Sequence, residues 1–231
     1  AAQHPYERWI ENIGHVEKII AGAPQRRLFD REALRRRQLS VGQSVEEVEL
    51  ILHPMVETAK ETTGSMGDDT PLAVLSERYR GLHHFFRQQF SQVTNPPIDS
   101  LRERRVMSLT TRLGNLGNVF DDDGHQTDVL ELQSPILLTG ECEALLAHLG
   151  KTAVSIDCTF ARGPTAETLG AALTRIRAQA EEAVRSGAAH IFLTDVAVDE
   201  TRAPVPMILA AGGVHVHLVQ QGLRTFTSLH V

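Results

Sequence analysis

The sequence predicts an α/β fold, with a mostly parallel sheet and flanking helices that follow a helical N-terminal segment. Residues 126–231 alternate short apolar runs with amphipathic stretches over short links, which is typical of parallel strands joined by helices. Residues 1–125 instead combine a helical spacing of apolar side chains with polar loops. We therefore expect a helical and loop-rich part over 1–125 and a β/α-alternating part over 126–231.

Helices in the first part are predicted from apolar spacing and from capping residues. Residues 6–21 place apolar side chains on one helical face, and Asp30 can cap a helix that extends to residue 38. Ser44 and Glu47 have the spacing of a capping box at the start of the next helix. Pro54 lies inside that helix, so we expect a kink or break just before it.

Further helices of the first part are predicted over 82–90 and 100–109, the second capped by Asp99. Two consecutive prolines lie within 94–99. They remove two backbone donors and favour extended geometry, so this segment is predicted to be non-helical. A loop is expected over 114–124.

The second part is predicted to alternate four strands with three helices. The strands are expected at 129–132, 153–157, 189–194 and 225–231. The helices are expected at 139–149, 165–186 and 206–221, and the one over 165–186 has the clearest apolar periodicity.

Two aspartates are candidates for chemistry because each follows a predicted strand. Asp157 and Asp195 would lie at the carboxyl edge of the sheet, where open α/β folds bind their ligands. There they could act as an acid/base pair or bind a metal. A strand-end carboxylate more commonly caps the following loop, and we favour that interpretation.

Other candidate ligand residues are weaker. Residues 163–165, Gly-Pro-Thr, could present N–H groups to a phosphate at a helix start, but no phosphate-binding glycine pattern accompanies them. His215 and His217 would point about 200° apart on a helix, so one metal ion could not readily take both. The adjacent pair His83 and His84 has the same weakness. We therefore predict no catalytic, cofactor-binding or metal-binding residue in this chain.

Composition excludes several classes of function. The net charge is -6, so general binding to nucleic acid or to an anionic membrane is not expected, and acidic neighbours dilute the arginines of residues 26–37. The apolar runs are shorter than the roughly 20 residues of a membrane span. Cys142 and Cys158 alone cannot form an all-cysteine iron–sulfur site. The start has no signal-peptide pattern, so we expect a cytoplasmic location.

Several long motifs occur in order along the chain. GSMGDDTPLAVL occupies 64–75 and FSQVTNPPID occupies 90–99, and in the second part PVP stands at 204–206, VHVHL at 214–218 and GLRT at 222–225. With these motifs, nearly the whole chain closely resembles the central domain of the glutamate synthase large subunit. The resemblance is greatest to the bacterial, NADPH-dependent type.

This resemblance implies a connecting domain that is inactive alone and is truncated at its C-terminus. The parent enzyme makes two L-glutamates from L-glutamine and 2-oxoglutarate. An amidotransferase domain releases ammonia, another domain holds FMN and an iron–sulfur cluster, and NADPH reacts at a small subunit. The implied partners are those two domains of the same polypeptide and the small subunit. No cofactor is expected in this chain itself.

The resemblance also implies a role for the proline-containing segment 94–99. Thr94, Asn95 and Pro96 are expected to line the ammonia tunnel, because consecutive prolines keep the backbone rigid and extended, with its carbonyls unpaired by local structure. A stiff inter-domain turn without contact to ammonia is the alternative.

The loop at 64–71 has a separate expected role. Gly67, Asp68 and Asp69 are expected to dock against a neighbouring domain. An alternative of another class stays open for the whole chain, namely a free-standing ligand-binding or hydrolytic α/β domain that uses Asp157 and Asp195.

Overall fold

The computed structural model describes residues 6–25, 28–62, 73–77, 79, 81–86, 98–118, 120–121, 125–163 and 167–231. The chain divides into two compact units. Unit 1 comprises 1–26, 112–132 and 138–231, and unit 2 comprises 27–111 and 133–137. The two units are defined by contacts between residues, whereas the predicted parts 1–125 and 126–231 are defined by their secondary-structure character. The predicted division at residues 125 and 126 therefore stays a prediction.

The secondary structure follows in chain order. The α-helices of the described chain are α1 (Tyr6–Glu11), α2 (Val16–Ile20), α3 (Arg31–Val41), α4 (Val45–Glu47), α5 (His53–Thr58), α6 (Ser100–Val106), α7 (Thr139–Leu149), α8 (Leu169–Arg185) and α9 (Met207–Gln220). The strands are β1 (Gly14–His15), β2 (Thr111–Leu113), β3 (Leu130–Leu132), β4 (Ala153–Asp157), β5 (Thr159–Ala161), β6 (His190–Thr194), β7 (Arg202–Pro204) and β8 (Ser228–His230). A π-helical turn, Val48–Leu52, joins α4 to α5, and 3-10 turns lie at Leu82–Phe86, His125–Thr127, Gly150–Thr152 and Arg224–Phe226.

A parallel sheet forms the centre of unit 1. Its strand order is β4-β6-β8, and both pairings are parallel. Helices α8 and α9 pack against each other, α8 against β4 and α9 against β6. The predicted α/β class, with a mostly parallel sheet and flanking helices, is confirmed.

The core of unit 1 follows from four-residue spacing on these two helices. On α8, Ala172, Ile176, Ala180 and Val184 are buried, and on α9 the buried residues are Ala210, Val214 and Leu218. The alanines let the helices approach closely, while each larger aliphatic side chain contributes about 1.5–3 kcal/mol by burial. These side chains cover the strand residues Ile191 and Leu193 in one cluster.

The N-terminal helix is interrupted, so the prediction of one helix over 6–21 is wrong. Gly14 and His15 form β1, in which Gly14 pairs in parallel with Leu130 of β3. A Cβ atom at Gly14 would lie 2.7 Å from the Cδ2 of Leu130, so glycine permits this close approach. A non-local strand partner therefore outweighs the local helical spacing.

Three further differences from the sequence-based expectations lie in unit 1. Helix α8 begins at Leu169, four residues later than predicted, because the side chain of Thr168 accepts the N–H of Ala171 as its N-cap, at 3.2 Å. The antiparallel pair of β5 and β7 was not predicted. The last strand is also shorter than expected, since the 3-10 turn Arg224–Phe226 precedes it.

Unit 2 confirms the predicted caps. Asp30 accepts the N–H of Ala33 at 2.7 Å, and α3 extends to Val41 before Gly42 ends it at φ +74°. Asp99 accepts two N–H groups at the start of α6, which ends at Val106. The helical path continues past Pro54, so the predicted break is absent, while the predicted kink stays a prediction. The helix changes from a π-helical turn to α5 at His53, and Pro54 lies in the first turn of α5, where its missing N–H costs little.

The expected helix over 82–90 is a 3-10 turn at Leu82–Phe86 where the structure describes it.

In the described ranges, no helix is both long and apolar enough to cross a membrane.

Candidate functional site

Asp157 lies at the carboxyl end of β4 and closes the turn into β5. Its Oδ1 accepts the N–H of Thr159 at 2.8 Å and the Thr159 hydroxyl at 2.7 Å. Its Oδ2 accepts from Nη2 of Arg202 at 2.7 Å, while Nε of Arg202 donates to the Thr159 hydroxyl at 2.7 Å. Both carboxylate oxygens are therefore engaged, in the loop-capping role that the sequence favoured.

A second arginine ties this edge of the sheet to α8. Arg175 donates to the carbonyl of Asp157 at 3.0 Å and to the carbonyl of Thr159 at 2.9 Å. Its guanidinium also pairs with Glu167, from Nε to Oε1 at 3.0 Å, and this hydrogen bond raises the pKa of Arg175. Neither Arg175 nor Arg202 was predicted as part of this network, because neither lies near Asp157 along the chain.

The second candidate, Asp195, follows β6 near Cys158. Burial raises the pKa of the Cys158 thiol to about 11, and the negative charges of Asp157 and Asp195 act in the same direction. Cys158 has no exposed surface, so its thiol stays protonated and packs as a small apolar group. The hydrogen-bonded network at this edge of the sheet centres on Asp157, whereas Asp195 acts on the Cys158 thiol through its charge.

The histidines of α9 face different partners. Nε2 of His217 lies 2.7 Å from Oε2 of Glu181 on α8, while Nδ1 of His215 accepts from Nε of Arg224 at 3.0 Å. Their divergence matches the geometry expected for positions two apart on a helix.

The adjacent histidines of unit 2, His83 and His84, do not point apart as the sequence predicted. Nε2 of His83 lies 2.9 Å and Nε2 of His84 lies 3.5 Å from the same atom, Oε1 of Glu47. Burial alone would raise the pKa of Glu47, but hydrogen bonds from Ser44 and His83 outweigh it and hold the pKa below its usual value. The tight 3-10 turn therefore turns two neighbouring imidazoles towards one carboxylate.

Unit 2 also exposes many large apolar side chains. Of the described helices, α3, α4, the π-helical turn and α5 bury no residue, whereas α8 of unit 1 buries five. The exposed large apolar residues on these helices include Leu34, Leu39, Val45, Leu50, Ile51 and Val56. Phe85 and Phe86 are 57% and 71% exposed on the neighbouring 3-10 turn. Apolar surface on this scale is typical of an interaction site.

The remaining predicted site residues cannot be placed. Thr94, Asn95 and Pro96 lie outside the described residues, as do Gly67, Asp68 and Asp69, so their roles stay predictions. Of the candidate phosphate contact at 163–165, only Gly163 is described, and α8 begins beyond it.

Comparisons with known proteins point to one family along the chain. A family model described as the glutamate synthase central domain matches residues 36–231. The large chain of an NADPH glutamate synthase from Azospirillum brasilense is 56% identical, over 100% of this chain and 15% of the relative. A chloroplastic ferredoxin-dependent glutamate synthase from Spinacia oleracea is 38% identical, over 100% of this chain and 14% of the relative. The large chain from Bacillus subtilis is 34% identical over 100% of this chain and 15% of the relative.

Proposed function

The chain belongs to the glutamate synthase central-domain family, and from this premise we propose that it connects two catalytic domains of a glutamate synthase large chain. It spans about 15% of the length of the bacterial relatives it matches. The proposed neighbours are the glutamine amidotransferase domain and the FMN-containing synthase domain of the same polypeptide. The chain itself carries no catalytic residue in this proposal and is inactive alone.

The exposed apolar helices of unit 2 are the observation that carries the proposal. An amphipathic helix normally buries its apolar face, yet Leu50 and Ile51 are 62% and 46% exposed in this chain. A connecting domain would cover such faces with the domains that precede and follow it. This arrangement would stabilise both the junctions and the helices of unit 2.

The reaction and the cofactors belong to the parent enzyme in this proposal. That enzyme converts L-glutamine and 2-oxoglutarate to two L-glutamates in the cytoplasm. Its synthase domain would hold FMN and an iron–sulfur cluster, and NADPH would react at a small subunit. The relatives include both NADPH and ferredoxin-dependent enzymes, and both kinds match the full chain. This supports an electron-donor specificity that is set outside the connecting domain.

An ammonia path along the connecting domain is the finer part of the proposal. Thr94, Asn95 and Pro96 would line it, since a backbone held by two prolines keeps its shape and offers carbonyls to a small polar molecule. Replacing Thr94 and Asn95 by bulkier residues in the full-length enzyme should then increase ammonia release per glutamine consumed. Unchanged leakage would leave the segment as an inter-domain turn.

A docking role for the acidic loop is a separate step. Gly67, Asp68 and Asp69 would contact a neighbouring domain. The double change Asp68→Ala with Asp69→Ala should then weaken assembly and activity of the full-length enzyme. Full activity and normal assembly of that variant would remove this part of the proposal.

Thermal melting in the presence of ligands tests the absence of a binding site. The melting temperature of the 231-residue chain should not change with FMN, glutamine, 2-oxoglutarate or NADPH. A saturable rise with FMN or 2-oxoglutarate would show that the chain carries a site that the proposal denies it. If Asp157→Asn abolished that rise, the free-standing α/β alternative would replace the connecting role.

A further inference from the structure

Three donor atoms converge in unit 2, outside the network at the sheet edge. They are Oε1 of Glu47, Nε2 of His83 and Nε2 of His84, and all lie within 4.8 Å of one another. Two imidazole nitrogens and one carboxylate oxygen are donors typical of divalent transition-metal sites. The side chain of His83 is 49% exposed, so an ion could reach the cluster from solvent.

The carboxylate of Glu47 is held in position by a separate set of hydrogen bonds. Its Oε2 accepts the backbone N–H of Ser44 at 2.7 Å and the Ser44 hydroxyl at 3.1 Å. This capping box leaves Oε1 directed at the two imidazoles. Such outer hydrogen bonds orient carboxylate ligands in metal sites, so Ser44 acts here as a positioning residue.

The spacing of the donors fits a four-coordinate ion. Ligand bonds of about 2.0–2.1 Å in tetrahedral geometry place two donor atoms about 3.3 Å apart. The two distances from Oε1 of Glu47, 2.9 Å to His83 and 3.5 Å to His84, lie on either side of that value. The three side chains would therefore need to move only slightly to bind an ion.

We infer that Glu47, His83 and His84 form a binding site for a divalent transition-metal ion, with Zn²⁺ as the best match to these ligands. This departs from the prediction that the chain has no metal ligand, because that prediction assumed that His83 and His84 point apart. The ligands come from elements 36 residues apart, so the ion would close a long loop and stabilise unit 2. The fourth coordination position is left to water or to a neighbouring domain.

Titration of the 231-residue chain with ZnCl₂ by isothermal calorimetry tests this inference. The expected result is one Zn²⁺ bound per chain, with a melting temperature about 5 °C higher at a hundredfold excess of metal over the Kd. Co²⁺ should bind with the intense visible d–d absorption of a four-coordinate site.

Three variants separate this site from general binding to histidine. His84→Ala and Glu47→Gln should each weaken Zn²⁺ affinity by at least about tenfold. Glu47→Gln keeps the acceptor that the capping box needs, so it decides the question if His84→Ala fails to fold. The control is His53→Ala, since His53 forms another His–Glu pair in unit 2, with Glu57 at 3.7 Å, and affinity should not change.

The inference is overturned if the wild-type chain shows no saturable Zn²⁺ binding. It is equally overturned if Glu47→Gln binds Zn²⁺ as tightly as wild type, or if His53→Ala weakens binding as much as His84→Ala. The melting temperature of each variant in EDTA shows whether a variant that does not bind Zn²⁺ is still folded.

Discussion

Nη2 of Arg202 lies 2.7 Å from Oδ2 of Asp157, and this ion pair joins residues 45 positions apart. It fastens the β5 and β7 pair to the end of β4, the first strand of the parallel sheet. The Asp157 carboxylate therefore has a structural role at the edge where α/β folds commonly bind ligands.

Asp157→Asn should lower the free energy of unfolding by about 1–2 kcal/mol, because it weakens charge-assisted hydrogen bonds to Thr159 and Arg202. Partial exposure of the pair limits the effect, since the two side chains are 42% and 35% exposed. Urea titration measures the change. Arg36→Ala, which removes an exposed pair with Glu32, should change stability by less than about 0.5 kcal/mol. Equal effects of the two variants would contradict a structural role for Asp157.

Acid should destabilise unit 1 through two neighbouring histidines, of which His190 is buried and His230 is half-buried. Burial lowers the pKa of His190 and of His230 to about 4, and their ring nitrogens lie 3.2 Å apart beside Phe192. An unfolded histidine has a pKa of about 6.5, so between these values the unfolded chain binds more protons. Stability contributed by the neutral pair is complete above about pH 6.5 and is lost as the pH falls towards 4.

The expected loss between pH 7 and pH 5 is on the order of 2 kcal/mol of unfolding free energy for each of the two histidines. Denaturant titrations at the two pH values measure it. His230→Gln should reduce this pH dependence, whereas His148→Gln, at an exposed position of α7, should not. If the free energy of unfolding of the His230→Gln variant depends on pH as strongly as that of the wild type, other groups cause the effect.

Two glycines in helices of unit 1 should respond in opposite directions to alanine. A Cβ atom at Gly140 would collide with the carbonyl oxygen of Pro24, so Gly140→Ala should destabilise by about 2 kcal/mol or more. Gly212 lies inside α9, and no atom of the described residues comes within 4 Å of its Cβ position, so Gly212→Ala should stabilise by about 0.5–1 kcal/mol. Thermal melting compares the two, and a shift of the same sign for both would contradict this packing.

Local signals explain what the sequence could predict. Asp30, Ser44 and Asp99 cap helices as expected, since a cap depends only on residues two or three positions away. Strand β4 and helix α7 have the predicted bounds, 153–157 and 139–149. The α/β class could be predicted because short apolar runs alternate with amphipathic stretches over 126–231, and α8 has the most regular of these helical patterns.

Non-local pairing explains what the sequence could not predict. β1 has two residues and β5 has three, which is too short for a period-two pattern, and their partners lie far along the chain. The convergence of His83 and His84 on Glu47 depends on a 3-10 turn and on a tertiary contact. A capping-box glutamate and a histidine pair are both visible in the sequence, but nothing local brings them together.

Solvent accessibility of unit 2 in two settings tests the connecting role most directly. Hydroxyl-radical footprinting can compare Leu50, Ile51 and Phe86 in the 231-residue chain and in a full-length glutamate synthase large chain that contains it. We expect ready oxidation of these side chains in the 231-residue chain and protection in the longer polypeptide, with buried Leu145 protected in both. Equal oxidation of Leu50, Ile51 and Phe86 in both settings would contradict the proposal that neighbouring domains cover these helices.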